Sequence, residues 1–114
     1  MSVINHVVLL DVPDAVNSQI VDDALAAIRD LPGRIDGVLA VTAGPDVSIQ
    51  GLAAGYTHGA IVRLSDPVAR QRFLRHPAHV EAVAPLRPLL RRITIVDLGA
   101  DTPESEENKT HGDR

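Results

Sequence analysis

Cysteine is absent from the 114 residues, which excludes disulfides, thiolate metal ligands and cysteine nucleophiles. Tryptophan is also absent, and Phe73, Tyr56 and Met1 are each the single residue of their type. The core must therefore be assembled from Val, Leu, Ile and Ala, and the two lone aromatics stand out. The longest apolar runs are about five residues, far short of the ~20 that a membrane-spanning helix needs. No basic stretch followed by an apolar one opens the chain, so a cytoplasmic protein without a membrane anchor is expected.

Strong charge of either sign is lacking over most of the length. Residues 1–100 hold ten acidic and nine basic side chains, whereas residues 101–114 hold five and two, so the net charge of −4 belongs mainly to the tail. A near-neutral body gives no general electrostatic reason to bind nucleic acid. Arg70, Arg72, Arg75, Arg87, Arg91 and Arg92 read most simply as solvated helix faces. The chain has room for one domain, expected over residues 1–99, and one this small gains from association because it buries a modest share of its surface. Residues 100–114, acidic and nearly free of apolar side chains, are expected to form a disordered tail.

Apolar periodicity predicts the elements. Residues 2–12 are rich in β-branched types and alternate as a strand, with Ile4, His6, Val8 and Leu10 on one face and Val3, Asn5, Val7 and Leu9 on the other. Asn17 or Ser18 caps a helix with Ile20, Val21, Ala24, Leu25 and Ile28 inward, which Pro32-Gly33 stops. A strand over residues 37–43 precedes a small-residue loop whose glycines match no phosphate-binding fingerprint. Another spans residues 57–64. Asp66-Pro67 opens a helix through Arg75, with Val68 and Phe73 inward. His76-Pro77 restarts it toward Arg92, with distortion expected at Pro85 and Pro88. A last strand covers residues 92–98, with Ile93, Ile95 and Asp97 opposite Thr94, Val96 and Leu98.

This order predicts an α+β fold, a ferredoxin-like βαββαβ subunit with a four-stranded antiparallel sheet. Short connections put the helices on one face and leave the other open, with Val3, Val7, Leu9, Ile61 and Val96 on it. Such a patch is larger than monomers usually expose. Two copies packed sheet to sheet, as a homodimer, would bury it in a barrel-like core.

Histidine is the plausible chemical handle because it exchanges protons near neutral pH. His6 lies on the helix side of the first strand, and His79 falls in the first turn after His76-Pro77. If they meet, they do so beneath the helices, in a pocket expected to be lined by Val8, Leu10, Ile20, Ala24, Ala60, Phe73 and Ala82. Two such rings suit general acid–base work on a carbonyl compound. The bland reading makes His6 a satisfied core residue and His79 a helix-terminus residue. As a metal pair His76 and His79 are poor, since Pro77 breaks their helical spacing and the motif holds no carboxylate. Neither metal nor cofactor is expected.

Taken together, Ile4-Asn5-His6-Val7-Val8-Leu9, Leu31-Pro32-Gly33, Gly44-Pro45-Asp46-Val47-Ser48, Gly55-Tyr56-Thr57-His58 and His76-Pro77-Ala78-His79-Val80 resemble the stress-responsive A/B-barrel (Dabb) family. The resemblance covers roughly residues 2–99 and implies a dimeric α+β barrel. It also implies candidate catalytic roles for His6 and His79, since a plant polyketide cyclase of the family closes its substrate without a cofactor using histidines at these positions. Where that cyclase has a tyrosine three residues before its His-Pro-x-His motif, this chain has Phe73, and a further helix tyrosine falls near Ala24. The expected function is a small hydrophobic or aromatic ligand pocket with His79 as base or hydrogen-bond donor toward a carbonyl or phenolic group and His6 orienting it. The alternatives are a non-catalytic stress-response or scaffold dimer and a cofactorless monooxygenase.

Overall fold

The computed structural model describes residues 2–101. Strand β1 (Ser2–Asp11) leads into α1 (Ser18–Arg29), where Asn17 Oδ1 accepts the Gln19 N–H at 2.7 Å. This satisfies one of the N–H groups that every helix start leaves over. A 3-10 turn at Leu31–Gly33 follows, and then β2 (Val38–Pro45), β3 (His58–Leu64), α2 (Pro67–Arg75), α3 (Pro77–Val83) and β4 (Arg92–Asp101). Asp66 caps α2 by accepting the Ala69 N–H at 2.8 Å, with Pro67 in the first turn where its missing N–H costs nothing.

The four strands are ordered β2-β3-β1-β4 and every neighbouring pair is antiparallel, which is the ferredoxin-like arrangement. Central β1 sets the two faces. On the helix side Ile4, His6, Val8 and Leu10 face Leu64, Val62, Ala60 and His58 of β3. One core group joins Ile4, Ile28, Leu31, Val62, Leu64 and Phe73, and a second joins Leu10, Val12, Val21, Ala24, Leu25 and Leu86. On the opposite face Val7 pairs with both Ile61 and Val96. Leu9, Ile61, Val96 and Leu98 are exposed there.

Several expectations are corrected. β2 starts at Val38 rather than Gly37 because Gly37 has φ of 94°, a turn conformation, and it ends later because Gly44 and Pro45 still pair with Gly59 and His58. β4 extends beyond Leu98, since Gly99, Ala100 and Asp101 continue the ladder with Ile4, Val3 and Ser2. The ordered strand thus passes the expected domain end at residue 99. The rest of the expected tail, residues 102–114, lies outside the described residues. Pro85 and Pro88 end the last helix instead of bending it, as α3 stops at Val83 and a 3-10 turn at Arg87–Leu89 follows. Val68 is exposed, and Ala69 takes the inward position beside Phe73. Val3, assigned to the open face, is buried within the single chain.

Candidate functional site

His6 occupies the centre of β1, where the ladder sets it directly opposite Val62 of β3 and Asp97 of β4. This register brings its Nδ1 to 2.7 Å from Asp97 Oδ1. A carboxylate only accepts hydrogen bonds, so the Nδ1 carries the proton and donates it, leaving the lone pair of a neutral ring on Nε2. Arg70 on α2 donates to Asp97 Oδ2 at 3.3 Å and steadies the carboxylate from the other side. The histidine is 4% exposed, while Asp97 and Arg70 are each about 30% exposed at the side chain.

His79 reaches the same region from the first turn of α3. The turn is set by His76, whose Nδ1 accepts the Ala78 N–H at 3.0 Å and caps the helix. Phe73 lies against both rings. Its centroid is 4.3 Å from that of His79, and it meets His6 edge-on at 5.6 Å. The two imidazoles make no hydrogen bond to each other among the described residues, and the lone phenylalanine links them by packing. Burial pushes the proton affinity of His79 below the ordinary histidine value; the Leu74 carbonyl opposes that shift, and the neighbouring His6 and the positive charge of Arg87 add to it. Yet no hydrogen bond of ordinary geometry satisfies His79 Nδ1, a buried polar atom without a partner among the described residues. Leaving such an atom unmatched costs about 1–3 kcal/mol, and the nearby Leu74 carbonyl offsets part of that.

Both histidines line one cavity of about 90 Å³ under the helices, together with Val8, Leu10, Ala60 and Phe73. Ile20, Ala24 and Ala82 do not line it. Ala24 is consumed by the second core group and Ala82 by the first, while Ile20 lies half-buried at the margin of α1. The sequence reading missed Leu86, Arg87, Leu90, Ile93 and Ile95 on its wall. It also missed Asp97 as the partner of His6. Alternation had put Ile93, Ile95 and Asp97 on one face, and a lone acid on an apolar strand face was the available signal. Which face met His6 depended on pairing between strands 91 positions apart.

A wider, open cleft of about 710 Å³ separates the loop after β2 from Val7, Leu9 and Ile61 on the open sheet face. Arg92 anchors the root of that loop. It donates to Asp11 Oδ2 at 3.2 Å and to the Ala54 carbonyl at 2.7 Å, and lies over the Tyr56 ring. His58, which also lines the cleft, bonds Thr57 Oγ1 through its Nδ1 at 2.8 Å. Among the described residues no group of three or more His, Asp or Glu side chains could hold a metal ion, and no helix is long and apolar enough to cross a membrane.

These features define a ferredoxin-like α+β subunit with a histidine-bearing cavity between sheet and helices. The chain belongs to the stress-responsive A/B-barrel domain family, whose pattern matches residues 4–100. It is 29% identical over 94 residues to the stress-response A/B barrel domain-containing protein HS1 of Arabidopsis thaliana, covering 82% of this chain and 86% of that one. A dimeric ferredoxin-like protein of unknown function from Thermobifida fusca has a similar structure, with a TM-score of 0.73, 27% identity and coverage of 87% of this chain and 92% of that one. Hydroxynitrile lyase from Passiflora edulis shares the fold at a TM-score of 0.77 and 16% identity, over 87% and 94% of the two chains.

Proposed function

We propose that the chain works as a homodimer in which each subunit offers its small cavity for cofactor-independent acid–base chemistry on a carbonyl or phenolic ligand. The hydrogen bond of 2.7 Å between His6 and Asp97 at the cavity wall carries this reading. It fixes the tautomer so that Nε2 is free to take a proton, the same service an aspartate gives a catalytic histidine in other folds. His6 is then the base. His79, held neutral by burial, is the hydrogen-bonding group toward the ligand oxygen, the second of the two roles expected for it, and the base role passes to His6. Phe73 supplies no hydroxyl, so the relay rests on Asp97 and Arg70. With about 90 Å³, or about three waters' share of volume, the cavity favours a compact ligand over a linear polyketide.

The dimer is supported by the exposed apolar side chains of Leu9, Ile61, Val96 and Leu98 on the face opposite the helices, and by relatives of this fold described as dimeric. Burying that face against its copy follows from its apolar character.

The test is deuterium uptake at the methyl carbons of acetone in D2O. Acceleration over buffer that is lost in His6→Gln is expected, and a wild-type rate equal to that of buffer overturns the base assignment. The small cavity and large open face also fit a second reading, a stress-related dimer without turnover, which that same null result would favour.

A further inference from the structure

Of the arginines around the sheet end and α2, most are already engaged. Arg70 pairs with Asp97, Arg91 and Arg92 with Asp11, and Arg72 donates to the Asp36 carbonyl. Arg87 differs, because it lines the His6 cavity yet makes no salt bridge or side-chain hydrogen bond among the described residues. It stands on the 3-10 turn after α3, exposed at the mouth, and its positive charge is felt at His79. The remaining wall around it is aliphatic, with Leu86, Leu90, Ile93 and Ile95.

A guanidinium without a partner among the described residues, at the rim of an apolar cavity, selects for charge. It presents a planar fork that matches a carboxylate, and in surroundings of low polarity that pairing is stronger than in water. Inside, the polar groups are the ring of His6, whose Nε2 lone pair can take a proton, and the ring of His79, which can donate a hydrogen bond to a carbonyl or enol oxygen. The cavity's ~90 Å³ leaves room for little more than the atoms joining a carboxylate to such an oxygen, well below the ~300 Å³ at which drug-sized pockets begin.

We propose that the cavity takes a short oxo acid, its carboxylate held by Arg87 at the mouth, its carbonyl oxygen toward His79 and the carbon that gives up a proton toward His6. This rests on the acid–base reading above and adds the substrate class: a small anion rather than a neutral phenol or ketone. Arg87 is thus the residue that sets specificity.

Pyruvate, acetone and acetate separate the contributions, since pyruvate and acetone differ mainly by a carboxylate and acetate lacks the ketone. Binding is read from the imidazole resonances of the full chain by NMR. Pyruvate is expected to shift the His6 and His79 signals saturably and to bind about tenfold or more tightly than acetone or acetate, the increment of one charge-assisted pair. In Arg87→Gln the preference for pyruvate over acetone should collapse toward unity, and Arg87→Lys should restore part of it. Equal affinities of wild type for pyruvate and acetone overturn the proposal, as does an undiminished preference in a folded Arg87→Gln. Imidazoles that ignore all three probes overturn both this proposal and the acid–base reading. A response to acetone without preference for pyruvate removes the carboxylate anchor alone.

Discussion

At His6 one carboxylate decides which ring nitrogen carries the proton, so the sharpest residue-scale test removes its charge and keeps its shape. Asp97→Asn should lower α-proton exchange by about 10²-fold, the lower end of what a positioned base contributes, because an amide can hold the ring in the wrong tautomer. Its effect on stability should be only about 1 kcal/mol, since the carboxylate is about a third exposed and screening discounts the pair. A urea melt beside the exchange assay separates the two effects. His79 gives a second prediction. Its unfolded ring takes up a proton near 6.5, whereas burial holds the folded ring neutral to lower pH. In the window below 6.5 the unfolded state therefore binds more protons, and stability falls as pH falls through it. The wild-type melting temperature should drop more steeply from about pH 7 to 5.5 than that of His79→Gln; parallel curves would show that the ring is not held neutral.

Helix α2 and the turn before β2 meet at Gly37, the element-scale contact that brings Phe73 and Arg70 toward the sheet. Gly37 has φ of 94°, and a Cβ placed on it would lie 2.6 Å from the Ala69 Cβ and 3.1 Å from Arg72 Nη1. Gly37→Ala combines the left-handed penalty of about 1–2 kcal/mol with a clash against a helix that cannot yield locally, so a loss of about 2 kcal/mol or more in urea unfolding is expected. A loss below 0.5 kcal/mol, on the scale of neutral surface changes, would show that α2 slides freely on this turn. The starts of the helices were legible because their signals are local. Asn17, Asp66-Pro67 and His76-Pro77 each satisfy or dispense with N–H groups of the turn that follows. The ends were less legible. β4 continues to Asp101 because β1 offers partners as far back as Ser2, which nothing in the residues around Gly99 announces.

Over the whole molecule, one sheet face is spent on the helices and the other is left open with apolar side chains exposed. Val7, Ile61 and Val96 lie side by side across three strands near the middle of the open face. A charge there would be desolvated in a dimer and harmless in a monomer. Ile61→Asp combined with Val96→Asp should therefore give a folded monomer by light scattering under conditions where the wild type scatters as a dimer. A wild type that is monomeric at micromolar concentration would contradict the assembly.

By itself the sequence determined the elements, the α+β class, the two-sided character of β1 and the helix-side positions of His6 and His79. All of these follow from periodicities of two and 3.6 residues and from capping chemistry within a few positions of one another. Only the tertiary structure decided what the histidines touch. Asp97 meets His6 through strand register, Phe73 takes the place between the rings, and Arg87 reaches the cavity mouth from a turn that two prolines impose. The physical reason is range. A hydrogen bond between β1 and β4, or the size of a gap left among packed side chains, is fixed by the joint geometry of distant segments, and no local pattern encodes it.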